Sequence, residues 1–429
     1  MRSTIRLSNP PKRRLLVSVL TLFCFAASNG AVAFASGFAV YTHGAGELGM
    51  QNNTVAHTSG AASAYSNPAL ITRLDGTRLE TGSVVIFPEI EFKSAVTGKT
   101  VRGESHEYTP ATLFFTRRFT PSISMGLALF SPFGLGTDWG KKWEGRYITT
   151  RSEMKTLNLN PSLAWRVNER LSVALGACML FAEANLKRNL NLAAFGLPDG
   201  EQVFSGEGAA PGYNLGVFLR VSENWTAGAH YRSAFRVNFE GDAEFKLPET
   251  APVILKTMLP DTPGESRIEL PALFSLGLCY RGFEGTLFEF GVRWEQWSLH
   301  EAMVLEFESP VSGNRFSVSP REWEDVWSFG AGMRHELNVN ADLLLGYRYD
   351  GNPVPDETFE PALLGSDKHI FSLGVDCERG QWRGSFTFAY ESFRKRTKNN
   401  TVGEEYGSPA DGRYLTRGYL AGVSLGRSF

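Results

Sequence analysis

From about Thr77 to its last residue, the chain alternates apolar with small, polar or charged positions. Ile123, Met125, Leu127 and Leu129 alternate with Ser124, Gly126 and Ala128. Leu157, Leu159, Leu163, Trp165 and Val167 alternate with Asn158, Asn160, Ser162, Ala164 and Arg166. After a break at Asn168-Glu169-Arg170 the period resumes in Leu171, Val173, Leu175, Met179 and Phe181. It recurs in 213–221, 274–280, 288–294 and 343–349. A period of two belongs to β-strands whose faces meet different surroundings.

The connections between these runs are alternately very short and very long. Short joints fall at 120–121, 168–170, 222–224, 282–285, 337–340 and 378–380. Long ones fall near 95–107, 131–153, 191–211, 241–265, 301–325, 350–368 and 396–411. These six turns and seven loops join fourteen strands. An even strand count, with turns on one side and loops on the other, marks an outer-membrane barrel. Its apolar face must look at lipid and its polar face into the lumen. Closure is required, because an open sheet edge in hydrocarbon leaves backbone groups unpaired. The fold class expected is therefore all-β, a 14-stranded antiparallel transmembrane β-barrel. The last strand agrees: Tyr419, Ala421, Val423, Leu425 and Phe429 share one face and the chain stops on the aromatic. From Tyr419 to Phe429 a strand tilted by about 40° covers roughly 26 Å, close to the apolar height of such barrels.

Composition narrows the function classes. A net charge of −2 over 429 residues excludes a strongly basic nucleic-acid binder. No internal window of about 18 apolar residues exists, so helical spans are excluded. At the N-terminus, Arg2, Arg6, Lys12, Arg13 and Arg14 precede an apolar stretch from Leu15 to Ala27, and Ala33-Phe34-Ala35 offers a cleavage site. Residues 1–35 read as a signal peptide, with the mature chain starting at Ser36. Cys178, Cys279 and Cys377 are scattered, as are the seven His, so neither a disulfide framework nor a metal-ligand spacing is visible. No metal, cofactor or enzymatic chemistry is expected. Gly44-Ala45-Gly46-Glu47-Leu48-Gly49 matches a dinucleotide fingerprint by spacing, but no strand precedes it and no helical pattern follows.

Residues 36–75 are rich in Gly, Ala, Ser and Asn and lack alternation. Ahead of a barrel they read either as a plug folded into the lumen or as a periplasmic tail; the plug is the expectation carried forward. The domains are then the signal (1–35), an N-terminal lumenal hatch (36–75) and the barrel (76–429).

Here the residues carry a resemblance. Ser36-Gly37-Phe38 and Tyr65-Ser66-Asn67-Pro68-Ala69-Leu70 resemble the N-terminal hatch of the long-chain fatty acid and aromatic hydrocarbon transporters of Gram-negative outer membranes. The likeness continues through Pro132-Phe133-Gly134-Leu135-Gly136-Thr137, Trp294-Glu295-Gln296-Trp297-Ser298 and Pro353-Val354-Pro355 to Phe429. It implies passive uptake of a hydrophobic ligand. It also implies a hatch motif at Asn67, Pro68 and Ala69, and an outer ligand groove formed by two loops. In this chain those loops supply Phe195, Leu197, Val253, Ile254, Leu255, Met258 and Leu259. The alternative for the same residues is a loop helix packing on its own barrel. Lumenal candidates are Phe38, Leu180, Arg188 and Phe218, with Arg188 facing a ligand carboxylate. Arg232, Arg236, Glu289, Arg293 and Arg348 are expected inside as well, where charges commonly pair with one another. Alternation breaks after Phe130 at Pro132, Phe133, Gly134 and Gly136, and the resemblance implies a side opening there. Expected partners are the ligand, outer-membrane lipid and the assembly machinery that reads a terminal aromatic; the barrel is expected to be a monomer. A general diffusion porin, an adhesin and a barrel hydrolase are the competing classes.

Overall fold

The computed structural model describes residues 37–104 and 106–429. The signal segment and the cleavage point before Ser36 lie outside the described residues.

All strand segments belong to one sheet. Collinear segments join into fourteen spans. β1 is Thr77–Ser94, β2 is Ala111–Arg118 with an outer piece Thr100–Arg102, and β3 is Ile123–Phe130 continued by Gly134–Asp138. β4 is Arg151–Arg166, β5 Leu171–Leu190 and β6 Gly200–Arg220. β7 joins Trp225–Arg232 to Phe235–Lys246, and β8 joins Thr262–Leu270 to Leu273–Phe283. β9 joins Thr286–Glu295 to Ala302–Val311, and β10 joins Asn314–Pro320 to Val326–Asn338. β11 is Ala341–Asp350, β12 Lys368–Arg379, β13 Trp382–Phe393 with Arg396–Lys398, and β14 Gly412–Ser428. Each span pairs antiparallel with the next, and β14 closes on β1 from Arg78↔Ser428 to Ser94↔Gly412. The fourteen-stranded closed barrel read from alternation is the fold observed.

The large exposed side chains show why this sheet belongs in lipid. Leu163, Leu175, Leu215, Leu276, Phe290, Leu373 and Phe386 all point outward. In water such a belt would be an aggregation surface; in a bilayer it is the matching solvent. Exposed aromatics gather beside the short turns at Phe119, Trp165, Trp225, Phe283, Trp382 and Phe429, at the interface level where their rings are favoured. Arg427 lies over both Trp382 and Phe429 there, with its charge at the membrane edge.

The strands run further outward than the alternation predicts. Segments 200–211 and 302–320 were expected as loop but continue β6, β9 and β10. A second correction concerns Arg236, expected in the lumen. β7 is broken at Ser233-Ala234, and beyond the break Phe235, Val237 and Phe239 are buried while Arg236 is exposed. Arg236 pairs outside with Glu269 at 3.2 Å.

Inside the barrel lies the N-terminal segment, residues 37–74, with a short helix α1 (Ala45–Gly49), a second α2 (Ser63–Ser66) and a 3-10 turn Pro68–Arg73. Nearly every residue of it is buried. The glycine-rich 44–49 motif forms α1, whose Ala45 N–H donates to Ser424 Oγ of β14 at 2.9 Å and whose Ala45 carbonyl accepts from Thr387 of β13 at 2.7 Å. It packs on the wall through these bonds.

Candidate ligand path through the barrel

The segment is fastened around most of the circumference. Ser372 of β12 donates to Gly49 O at 2.9 Å, and Arg348 of β11 donates to Gln51 O at 3.0 Å through Nε. Glu289 of β9 accepts Val55 N–H at 2.5 Å and Ala56 N–H at 2.9 Å on one oxygen, while His57 Nδ1 lies 2.5 Å from the other. Thr226 of β7 donates to Ala56 O at 2.7 Å. Asn67 is fully buried; its amide donates to Val55 O at 2.8 Å and Val217 O of β6 at 2.9 Å, and its oxygen accepts Ala69 N–H. Pro68 follows and opens the 3-10 turn, where its missing N–H costs nothing. Glycine on the wall permits this approach: a Cβ at Gly228 would sit 1.9 Å from Val55 O, and one at Gly346 would sit 2.6 Å from Gln51 N. The lumenal charges Glu289, Arg232, Arg293 and Arg348 therefore spend themselves on the segment. Arg293 stacks over Tyr41 at 3.8 Å, and Arg232 lies over Tyr65 and Phe130 at 4.9 and 4.6 Å.

On the long-loop side of the segment is a cavity of about 390 Å³. Phe38, Met154, Phe204, Ile268, Leu305 and Leu363 give it an apolar lining. That volume lies in the range of small-molecule sites, about 300–1,000 Å³. Arg188, also in the lining, donates Nε–H to Gln202 Oε1 at 2.8 Å and lies 4.5 Å over the Tyr406 ring. Among the described residues it has no carboxylate partner, whereas Arg321 across the cavity is matched by Glu360 at 2.8 Å.

Of the four lumenal residues expected from the sequence, Phe38 and Arg188 line this cavity. Leu180 is buried in the adjoining apolar cluster. Phe218 stands apart: it packs with Ala61, Tyr65 and Leu70 of the N-terminal segment, beneath the Arg73 guanidinium at 4.9 Å. Phe204, Ile268, Met303, Leu305 and Tyr406 were missed, because four of the five fall in stretches read as loop.

Phe38 links the cavity to the break in β3. Its carbonyl accepts Gly134 N–H at 2.9 Å, and Val40 N–H donates to Pro132 O at 2.9 Å. β3 thus turns in to pair with the N-terminal segment at Ala39↔Phe133. Phe133 Cβ-side packing is apolar, its ring 6.4 Å from both Phe235 and Trp297. Along the β2–β3 seam the paired residues run from Arg118↔Ser124 to Leu113↔Leu129. Among the described residues the next backbone bond across it is Glu104 N–H to Asp138 O, 2.8 Å. Gly136 lies within that interval, where β3 stays paired on its other side with Glu153 of β4.

The outer loops divide into two faces. The loop helix α3, Val253–Met258, exposes Val253 (80%), Ile254 (62%) and Met258 (43%), and Phe195 is exposed on the other loop. Leu255 is only 3% exposed and packs with Leu192 and Ala251, against which Leu197 and Leu259 also lie. Leu255 therefore ties the loops together, with Leu197 and Leu259 partly buried beside it. The loop base is further tied by Asp199, which accepts from Arg146 at 2.7 Å and Tyr147 at 2.7 Å. Burial pushes its carboxyl up, but the bonds from Arg146, Tyr147 and Asn189 outweigh this and hold it below the usual carboxylate range.

The fold also gathers donor groups that sequence spacing keeps apart. His57, Cys279 and Glu289 form one cluster and Glu104, His106 and Asp138 another, each with ligand atoms within 4.8 Å. In the first, Glu289 is already occupied by the N-terminal segment, as described above.

Residues 26–429 match the model of the outer membrane protein transport protein family (OMPP1/FadL/TodX). The chain belongs to this family. A long-chain fatty acid transport protein of Escherichia coli is 23% identical over 346 residues, covering 73% of this chain and 77% of the relative. A 47 kDa outer membrane protein of Pasteurella multocida is 23% identical, over 84% of this chain and 86% of the relative. The crystal structure of a Pseudomonas aeruginosa FadL homologue superposes with a TM-score of 0.81 at 16% identity, covering 92% of this chain and 100% of that one. That of the P. putida toluene transporter TodX gives 0.70 at 17%, covering 92% and 99%. The family places the protein in the outer membrane of a Gram-negative bacterium, as a transport channel and not an enzyme.

Proposed function

We propose that the protein takes up hydrophobic small molecules, long-chain fatty acids or hydrocarbons, passively across the outer membrane. The exposed apolar side chains of the loops capture the ligand. The cavity holds it, and the interval in the β2–β3 seam releases it sideways into lipid. The N-terminal segment acts as a hatch that blocks the straight route. Burying about ten methylenes is worth roughly 8 kcal/mol, which is ample for capture without energy coupling. The observation that carries the reading is the continuity at Phe38: its ring lines the cavity, and its carbonyl is bonded to the turned-in part of β3. Arg188, without a carboxylate partner among the described residues, supports a ligand with an acidic end, as do the relatives named for fatty acid transport. The barrel works as a monomer.

The test replaces Pro132, Gly134 and Gly136 together by Val, which favours regular pairing. Among variants that stay heat-modifiable and surface-exposed, ligand binding to purified protein should persist while whole-cell uptake falls sharply. Parent-like uptake would rule out the lateral route. A general porin has no need of the cavity or of residues 37–74.

A further inference from the structure

We propose that the periplasmic mouth of the barrel carries a binding site for a phosphate group, built from Arg73, Arg118, Arg166 and Arg220. These come from four different elements: the 3-10 turn at the end of the N-terminal segment and the turn-side ends of β2, β4 and β6. They converge because one backbone oxygen collects two of them. Thr72 O accepts from Arg118 Nη2 at 2.9 Å and also from Arg166 Nη2. Arg73, the next residue, donates to Glu169 O at 3.0 Å in the β4–β5 turn and lies 4.9 Å over the Phe218 ring of β6.

Charge balance separates this cluster from an ordinary structural network. Arg118 is paired with Asp75, whose carboxylate is 82% exposed. Among the described residues, Arg73, Arg166 and Arg220 have no ion pair. The Nε–H groups of Arg73, Arg118 and Arg166 are shielded from solvent and unpartnered. The same rim offers its own control across the barrel: Arg334 pairs with Asp342 and Asp376, and Arg383 with Asp376, at 2.5 to 3.1 Å. In that sector the arginines come with their acids; at the Arg73 mouth only Arg118 does. Buried donors left unsatisfied are costly, and like charges held together are costly again. Burial first, and then Arg166 and Arg220, hold the Arg73 guanidinium below its usual range, while Glu169 opposes them only in part.

A tetrahedral oxyanion answers both deficits. It carries charge, and its several oxygens suit donors arriving from different sides, where a carboxylate offers two in one plane. The turn side of such barrels faces the periplasm, so the phosphate is either free in that compartment or the headgroup of an inner-leaflet phospholipid. Anchored at Thr72-Arg73, the anion would also brace the end of the N-terminal segment.

The experiment uses the full barrel in neutral detergent and follows inorganic phosphate by phosphorus NMR line broadening, with chloride at equal ionic strength as reference. Binding should weaken by about tenfold in Arg220→Gln, the loss of one charge-assisted contact. Arg220 is exposed and makes no side-chain hydrogen bond or ion pair among the described residues, so that variant should fold normally. Arg427→Gln, on the aromatic girdle, should bind as the parent does. A second arm compares nanodiscs of phosphatidylcholine and phosphatidylglycerol without free phosphate. Greater protection of the parent's thermal transition by phosphatidylglycerol than by phosphatidylcholine, whose choline neutralises its own phosphate, with the difference lost in Arg220→Gln, assigns the headgroup as the source. Equal binding by the parent, Arg220→Gln and Arg73→Gln in both arms would overturn the site.

Discussion

The bond set at Glu289 gives the sharpest test of the N-terminal segment as a hatch. One carboxylate on β9 receives Val55 N–H, Ala56 N–H and His57 Nδ1 within 2.9 Å, in a fully buried setting. Glu289→Ala removes all three partners and leaves the β9 ladder intact, since Glu289 pairs with Cys279 and Gly332 through backbone alone. Each buried group left unsatisfied costs about 1–3 kcal/mol. Three losses at the low end give about 3 kcal/mol, which raises the unseated fraction of the segment roughly 100-fold. Single-channel recording in planar bilayers reads that fraction directly, as brief openings to small ions. Glu289→Gln keeps one acceptor oxygen for the two N–H groups, so its opening frequency should fall between those of the alanine variant and the parent. Heat-modifiability on gels checks that the wall is unchanged. If the alanine variant conducts no more than the parent, Glu289 does not retain a plug, and the segment's seating must rest elsewhere.

Other outcomes follow from the same geometry. Val253→Ser, Ile254→Ser and Met258→Ser together should lower uptake at scarce ligand while thermal stability stays near the parent's, whereas Leu255→Ser should destabilise the loops. Arg188→Gln should weaken binding of a fatty acid more than of a hydrocarbon of equal length, measured by competition on purified protein. Gly228→Val should increase channel opening as Glu289→Ala does, because its side chain would displace the Val55 carbonyl. Burial, and then the neighbouring Glu80, push Glu47 in α1 up to about 8. A raised acid pKa stabilises the seated state below the unfolded value and loses that contribution as pH rises through the folded one. Opening should therefore increase from pH 5 to pH 8, and Glu47→Gln should flatten the profile.

The wall was legible because lipid imposes one rule on every strand that crosses it. Leu163, Leu175 and Phe290 had to alternate with small or polar partners, and the turns and loops between such runs number the strands at fourteen. Position within the lumen was not legible in the same way. Phe218 and Leu180 share an inward register, but one packs on the N-terminal segment and the other on the apolar cluster beside the cavity. Nothing local distinguishes their heights. Arg232 and Arg236, four residues apart, should lie on one face; the break at Ser233-Ala234 sends them to opposite sides. The loop helix shows a third limit. Val253-Ile254-Leu255 is a continuous apolar run, and only the 3.6 period of a helix, formed in context, sorts Leu255 inward and its neighbours outward.

The breaks themselves have a common meaning. β7 is interrupted after Arg232, β8 before Leu273, β9 after Glu295 and β10 before Val326, and these residues pair across the sheet at one level: Arg232↔Leu273, Leu273↔Glu295, Glu295↔Val326. Below that level the apolar side chains face out, as Leu276 and Phe290 do. Above it the polarity inverts. Phe235, Val237, Phe239, Leu270 and Phe307 are buried inside, while Arg236, Arg267 and Glu269 form ion pairs on the outer surface. Charged pairs on the outside mark wall that has left the hydrocarbon, because lipid tails would not solvate them. The same inversion turns apolar side chains toward the lumen at the height where Phe38 packs with Trp297 and Trp323. A strand of constant polarity would put a hydrophilic interior everywhere and leave a water-filled pore. Breaking the strands at one level gives this barrel a lipid-facing lower wall and an apolar upper interior from the same period-two pattern, and the cavity is lined where the two meet.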